Sequence, residues 1–553
     1  MNTLTDKIHQ AQTSHGITPE KHEYPFTSFA AALELYSILS DKPYLIYYDE
    51  HNHRFEYSYS QFIEKVRRAA SLLTKRGVKR GARIATAAHN HPDTIIQYFA
   101  AWMIGACVVP LNMTEDDNRL RYILENSEAQ IVFCREEYCT RIENILSTGQ
   151  MDMVKVSDRL DAKDCFHELL DTSTLLEFPT GNFLDDDALI VYTSGTTGNP
   201  KGVVLMQRNL MADGVDIAGW HGITPYSRMM CVLPVHHVNG CIVTHVTPFL
   251  VGASVVLNRK FQTEYFFERI AHEKVGVVSV VPTLLAFLLD KKADAKAAIE
   301  AGFHHIICGA GPLTCDLVRT FEDYYGIPVI HGFGLSETTC YTCFLPIDLS
   351  NEERTHWLQD YGFPSIGVPL PCNEMAICDT QGNILPEMER GEICSRGANV
   401  MREYFNNHKA NEDAFTFGWF RSGDEGFYKN DDQGRPFFFI TGRIKELIIR
   451  GGVNLAPLEI DEVISRAPGV KAGICVGFEN NFYGEEVGAL VIANDGEQDS
   501  EAILEFCIQH LPFHKAPKVV VFTDSLPITS TGKYQRNKVK HVFAEWKDVQ
   551  FRK

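Results

Sequence analysis

The densest chemistry in the chain is the string Thr193-Ser-Gly-Thr-Thr-Gly-Asn-Pro-Lys-Gly202, directly after the apolar run from Ala188 to Tyr192. Its glycines let successive backbone N–H groups converge. The hydroxyls of Thr193, Ser194, Thr196 and Thr197 can donate to oxyanions, and Lys201 adds a positive charge. These are the properties of a phosphate-binding loop. Gly195-x-x-Gly198-x-x-Lys201 lacks the four-residue gap and Gly-Lys-Ser/Thr ending of a Walker A loop, so a kinase or GTPase reading loses its main support. Gly309-Ala-Gly311 and Gly332-Phe-Gly334 each begin like a dinucleotide fingerprint, but both lack its third glycine. Cys340-Tyr-Thr-Cys343 is the one CxxC. With no second pair at zinc-ligand spacing, it reads as structural or pocket-lining rather than as a zinc or redox site.

Further segments with chemical side chains follow in order: Leu233-Pro-Val-His-His-Val-Asn-Gly240, Gly309-Ala-Gly-Pro-Leu313, Gly332-Phe-Gly-Leu-Ser-Glu-Thr-Thr339, Trp419-Phe-Arg-Ser-Gly-Asp424, Thr441-Gly-Arg-Ile-Lys-Glu446 with Gly451-Gly452, and Ser530-Thr-Gly-Lys533. Together with the glycine loop, and over nearly the whole chain, they resemble the adenylate-forming superfamily. That superfamily includes acyl- and aryl-CoA synthetases, luciferases and the adenylation domains of peptide synthetases. The chain is most similar to an AMP-forming acyl-CoA synthetase.

The resemblance implies an activity: an acid is activated with ATP to acyl-AMP and pyrophosphate, and the acyl group then passes to coenzyme A. It implies ATP, Mg²⁺ and CoA as cofactors. Thr193, Ser194, Gly195, Thr196, Thr197, Gly198 and Lys201 would hold the β- and γ-phosphates, Thr338 would touch the α-phosphate, and Glu337 with Thr193 would serve Mg²⁺. Gly309, Ala310, Gly311, Pro312, Phe333 and Gly334 would lie along the adenine. Asp424 would take the ribose hydroxyls, supported by Arg443. Lys533 would bridge the substrate carboxylate and the α-phosphate, a compact ammonium offsetting the repulsion of two anions. Lys445 would be the hinge between domains, and the Gly451-Gly452 loop would enter the site for thioester formation. Substrate-pocket positions are His236, His237, His331, Gly332 and Cys340. A pocket-wall role suits His237 better than acid–base catalysis, since carboxylate attack needs no proton removed.

Some positions depart from the family pattern. His236 stands where the aromatic before His237 is expected, and it also reads as a packed core histidine. His331 replaces the amide or acid often found before Gly-Phe-Gly. Gly332, where dicarboxylate-specific relatives tend to carry arginine, leaves no fixed cation and is expected to leave room for an acyl chain or ring. A monocarboxylic acid, medium acyl or aromatic, is the expected substrate. Two rival readings stay open: an acyl-AMP ligase that loads a carrier protein, and an inactive adenylate-binding protein.

These residues need elements to hold them. The stripe Phe62, Ile63, Val66, Ala69, Ala70, Leu73 predicts an amphipathic helix with Ser60 as N-cap and Gly77 beyond its end. Strands and helices alternate from Arg83 through Cys308, including a helix over Phe261 to Glu273, which indicates βαβ units around a parallel sheet. After about 365 the texture becomes short strands and turns. From Leu458 helix and strand return. The expected fold is α/β, with an N-terminal region (1–444) of βαβ layers carrying a β-rich subdomain, and a small mobile α+β domain (445–553).

The 553 residues carry 52 Lys plus Arg against 71 Asp plus Glu, a net charge of −19, with 45% apolar residues. That acidity disfavours nucleic acid as a partner. No apolar run reaches the ~20 residues that cross a bilayer. The polar N-terminal stretch and the Phe551-Arg552-Lys553 ending suggest a cytoplasmic address, and the scattered fifteen cysteines read as reduced thiols. A homo-oligomer is left open.

Overall fold

The computed structural model describes residues 3–146, 151–159, 162–193, 199–494, 498–528 and 534–552. Ser194–Gly198 of the glycine loop and Lys533 therefore lie outside the described residues.

The alternating pattern of the first half folds into two sheets. In one, seven strands run in the spatial order Glu403–Tyr404, Lys201–Met206, Asp187–Thr193, Cys107–Leu111, Arg83–Ala87, Ile131–Arg135 and Asp152–Val156. The last five pair in parallel, while Asp187–Thr193 and Lys201–Met206 form an antiparallel hairpin around the glycine loop. The second sheet has thirteen strands. Its parallel centre includes Arg228–Cys231, Ser254–Asn258, Val277–Val280, His305–Cys308 and Val329–Phe333.

The β-rich stretch after 365 is a continuation of that second sheet and not a sheet of its own. The two-residue strand Cys343–Phe344 pairs antiparallel with Val329–Phe333 on one side and Ser365–Pro369 on the other, and Pro436–Arg443 and Phe420–Asn430 follow. The change of direction at Phe333 puts Gly332-Phe-Gly334, the end of that strand, at the seam between the parallel and antiparallel halves. Ligands of open α/β sheets favour such a position, beyond the carboxyl ends of strands.

The amphipathic helix runs Tyr59–Lys75 with its expected stripe buried. Its N-cap is Ser58, not Ser60, because Ser58-x-x-Gln61 supplies a reciprocal pair: Gln61 N–H donates to Ser58 Oγ at 3.3 Å and Ser58 N–H to Gln61 Oε1 at 3.0 Å. Ser60 donates its hydroxyl to Ser40 O instead. The helix expected from Phe261 begins only at Phe266, since 262–265 close as a hydrogen-bonded turn.

The C-terminal domain has its own sheet. Gly484–Ala493 lies between Val470–Asn480, Ile448–Arg450 and Val519–Phe522. Helices Pro457–Ser465 and Ser500–His510 bury Ile460, Ile464, Ile503 and Cys507 on one face, while Phe543 packs with Ile474, Val476 and Phe478 on the other. With both faces covered, this unit has the core of an independent domain. All fifteen cysteines are unpaired, and fourteen are buried. No described helix is long and apolar enough to cross a membrane.

Candidate functional site

Two clusters and one cavity collect most of the residues singled out above. The first cluster forms where the hairpin Asp187–Thr193/Lys201–Met206 meets Glu403–Tyr404. Thr193 and Lys201 face each other in register, so the ends of the glycine loop are clamped together. Lys201 Nζ lies 4.5 Å from the Tyr404 ring centroid. Tyr404 O–H in turn donates to Glu337 Oε1 at 2.7 Å. Burial and the Glu337 charge push the Tyr404 hydroxyl well up, so it stays a donor. Glu337 sits in the single helical turn Ser336–Thr338, and Met401 N–H pins its carbonyl at 2.8 Å. Thr338 Oγ1 accepts from Leu335 N–H at 3.0 Å. The next residue, Thr339, has φ +63°, rare for a β-branched residue and a form of strain that gathers at functional loops.

The second cluster is a cross-strand pair. Asp424 and Arg443 are opposite each other, with Arg443 Nε 2.8 Å from Asp424 Oδ1. Asp424 is buried, and its N–H donates to Ser422 Oγ at 3.0 Å.

Between the N-terminal region and the C-terminal domain lies a cavity of about 370 Å³. Ala310, Gly311, Pro312, the stretch His331 to Leu335, Asp424 and Arg443 line it from one side. Asp461, Glu462, Lys471, Gly473, Tyr534 and Arg536 line it from the other. Gly309 leads into it, and Ala310 is held at φ +62°. Gly334 needs its missing side chain, since a Cβ there would overlap the Cys340 carbonyl. Arg536 grips Asp461 with two guanidinium nitrogens and donates to Cys475 O at 2.8 Å, a fork geometry that stiffens this wall. Glu462 crosses the gap: its Oε2 accepts from Cys315 N–H at 3.0 Å and its Oε1 from Asp316 N–H at 3.2 Å. Those groups open the helix Cys315–Tyr325, so a carboxylate of one domain caps a helix of the other.

Several expected residues lie elsewhere. Gly451 and Gly452, at φ +58° and +83°, make the turn between Ile448–Arg450 and Val453–Leu455, and Gly451 N–H bonds to Tyr483 O. Neither lines the cavity. Lys445 is exposed in the turn Ile444–Glu446, directly after Arg443. His236, His237 and Cys340 also lie outside the cavity lining. The rings of His236 and His237 are 4.3 Å apart, and burial holds His236 well below its usual pKa. Burial, with Asp213 and Cys241 beside it, pushes the Cys340 thiol well up. His331 does reach the cavity. Its Nδ1–H donates to Ser365 O at 2.9 Å and burial brings its pKa down to about 4, so it is neutral with Nε2 as acceptor.

The space where a side chain of residue 332 would stand is filled. A Cβ on Gly332 would overlap the Phe344 ring and come within 2.9 Å of Tyr341 Cε1. On the side where a side chain would stand, Gly332 is packed against the Phe344 and Tyr341 rings, while the glycine itself lines the cavity. Sequence reasoning also passed over Tyr404, Glu462 and Arg536, none of which stands in a distinctive local pattern.

The family profile described as AMP-binding enzyme matches residues 39–405, and the AMP-binding enzyme C-terminal domain matches 459–533. The chain belongs to the AMP-binding enzyme family. Among curated relatives of this AMP-binding enzyme, the sulfoacetate–CoA ligase of Cupriavidus necator is 33% identical over 84% of this chain and 88% of that protein. The oxalate–CoA ligase of Arabidopsis thaliana is 31% identical over 89% and 94%. Among solved structures, ATP-bound MatB from Rhodopseudomonas palustris superposes with a TM-score of 0.83 at 26% identity, covering 93% of this chain and 99% of that one. The o-succinylbenzoate CoA synthetase MenE from Bacillus subtilis, in complex with its acyl-adenylate OSB-AMP, gives 0.79 at 26% identity, covering 92% and 97%. The chain is thus an AMP-forming acid–CoA ligase in its broad class.

Proposed function

We propose that this enzyme joins a carboxylic acid to coenzyme A through an acyl-AMP intermediate, with the cavity between the two domains as the place of adenylation. The observation that carries the proposal is the convergence on that cavity of Ala310–Pro312, the strand end Gly332-Phe-Gly334, the Asp424–Arg443 pair and Tyr534. The residues fit a nucleotide. Backbone with small side chains gives a flat slot for a base, and a buried carboxylate braced by a guanidinium can accept from vicinal ribose hydroxyls. Glu337 and Thr193 would hold Mg²⁺, which supplies positive charge against the phosphates.

The protein's own groups divide the work by charge. Lys201 and the glycine loop receive the departing pyrophosphate, and Lys533 offsets the repulsion between carboxylate and α-phosphate. Support for Lys533 comes from its chain neighbour Tyr534, which lines the same cavity as Asp424 and Arg443. His331, neutral and tautomerically fixed, presents an acceptor and no charge.

We further infer that the C-terminal domain, 445–553, turns about Lys445 between the two half-reactions. Tyr534 and Arg536 face the cavity while Gly451 and Gly452 do not, so the arrangement suits adenylation, and thioester formation requires the other face. Free CoA as acceptor and a cytoplasmic location, in keeping with the unpaired cysteines, complete the reading. The test is to supply ATP, Mg²⁺, a panel of acids and CoA and to identify the products. AMP, pyrophosphate and free acyl-CoA are expected. ADP and phosphate would overturn the assignment, and acyl-AMP that reacts only with a carrier-protein thiol would overturn the CoA step alone.

A further inference from the structure

The helical turn Ser336–Thr338 carries Glu337 and Thr338, and it ends on a residue whose backbone needs outside support. Thr339 is held at φ +63°, a strained form that persists only where the surroundings impose it. Those surroundings are the turn that joins the strand Gly391–Gly397 to Glu403–Tyr404. Met401 N–H donates to Glu337 O at 2.8 Å, and Thr339 Oγ1 donates to Asn399 O at 2.6 Å. Asn399 Nδ2 donates to Tyr341 O at 2.8 Å and to Asp213 Oδ1 at 3.0 Å. Asn399 Oδ1 accepts from Asn373 Nδ2 at 2.6 Å, so both ends of this amide are engaged. The turn is also fastened to the helix Gln207–Trp220, where Asn209 Nδ2 donates to Ala398 O at 2.7 Å and to Val400 O at 3.0 Å. Asp213, on the same helix, is fully buried, as are Thr339 and Asn399. Burial, with Asp216 adding to it, pushes the Asp213 carboxyl well up, and its Oδ2 meets no partner among the described residues. Asp213 is therefore a neutral acid that accepts through Oδ1, work that an amide could also do.

We propose that Asn399, anchored by Asp213, is a positioning residue for magnesium-bound ATP, acting through Glu337. The proposal rests on the ligase reading, in which Glu337 serves Mg²⁺, and deepens it. Asn399 lies between the two segments that fix the Glu337 carboxylate. On one side it ties down Thr339 and Tyr341, and with them the end of the turn that carries Glu337. On the other its own turn leads into Glu403–Tyr404, and Tyr404 O–H donates to Glu337 Oε1 at 2.7 Å. Without the Asn399 amide, Thr339 is free to relax to negative φ, and the turn and Tyr404 lose their common support. Glu337 then keeps its charge but not its place, and a site that holds a metal depends on the shell that orients its ligands. Lys201, over the ring of Tyr404, belongs to the same assembly.

The experiment measures ATP affinity by calorimetry, in excess Mg²⁺ and in EDTA, for the wild type, Asn399→Ala, Asp213→Ala and Asp213→Asn. The ratio of the two affinities is the coupling between metal and nucleotide, and no turnover is needed to read it. Asn399→Ala should cut that ratio at least ~5-fold, the lower end of the range over which one site couples to another, while the affinity in EDTA stays near that of the wild type. Asp213→Ala should lose part of the ratio and Asp213→Asn should restore it. A merely structural amide would weaken binding equally with and without Mg²⁺, and that result overturns the proposal, as does an unchanged ratio in a folded Asn399→Ala or a wild type that binds ATP no better with Mg²⁺ than without. A loss in Asp213→Asn as large as in Asp213→Ala overturns the neutral anchor. If Asn399→Ala does not fold, Thr339→Val, which removes the hydroxyl that bonds Asn399 O, decides on the same ratio. ADP and phosphate as reaction products would sink the ligase reading alone, since the binding ratio does not depend on which phosphate bond is cut.

Discussion

Replacing Glu462 by alanine removes two hydrogen bonds that join the domains in the observed arrangement. The carboxylate accepts two main-chain N–H bonds at 3.0 and 3.2 Å at the start of the helix Cys315–Tyr325. Each charged bond is worth roughly 1.5–3 kcal/mol at most. The helix terminus adds a few tenths. Against this stands the cost of taking the carboxylate out of water, visible in a carboxyl pushed up by burial even though both N–H groups pull it down. In the rotated arrangement the side chain regains water, and Thr314 still caps the helix through Leu317 N–H. The difference between the two arrangements is therefore about 1–2 kcal/mol, or about a 5- to 30-fold change in their ratio. The assay follows the half-reactions separately: pyrophosphate release from ATP and acid, and acyl-CoA formation from supplied acyl-AMP. Glu462→Ala should slow the first by about 5- to 30-fold and leave the second unchanged or faster. Lys533→Ala, in the same assay, should slow only the first, by roughly 3 kcal/mol in barrier if it acts like an oxyanion donor. Equal losses in both half-reactions for Glu462→Ala would refute the idea that these bonds favour the observed arrangement.

Gly332→Ala should destabilise the fold by about 1–3 kcal/mol, the usual cost of overpacking, and Phe344→Leu in the same chain should restore part of that loss. Chemical denaturation of the single and double variants checks it, and simple additivity would show that the two sites do not touch. His331 is held neutral, near 4 against an ordinary 6.5. The stability that comes with a neutral imidazole is present above pH 6.5 and is lost as pH falls from 6.5 towards 4. The unfolded chain binds the proton first, so unfolding free energy should drop about 2 kcal/mol from this group between pH 7 and 5. His331→Gln should flatten that slope, and an unchanged slope would contradict the buried, neutral assignment.

What was legible in the sequence was local. The glycine loop, the Arg-Ser-Gly-Asp424 motif and Gly332-Phe-Gly334 carry their chemistry within a few residues, and the parallel strands announce themselves as apolar runs. Asp424 and Arg443 could be named singly because each lies in its own motif, and one antiparallel strand pair brings them together. The illegible part depends on long-range partners. Tyr404 meets Glu337 across 67 residues, Asn399 meets Asp213 across 186, and Glu462 reaches Cys315 across 147. Ser58 outranked Ser60 as a cap only because Gln61 answers it. Gly332 shows the same limit: its motif does not say which rings, Phe344 and Tyr341, pack against its bare Cα.

The central claim is that the acid's own carboxylate oxygen attacks the α-phosphate. An acid labelled with oxygen-18 in its carboxylate, incubated with ATP, Mg²⁺ and CoA, tests this most directly. The bond formed is carboxylate oxygen to α-phosphorus and the bond broken releases pyrophosphate; the thiol then attacks the acyl carbon, and AMP leaves with the oxygen it gained. Mass spectrometry of the products should find one labelled oxygen in AMP and none in pyrophosphate. Label in inorganic phosphate, with ADP as the nucleotide product, would contradict the account.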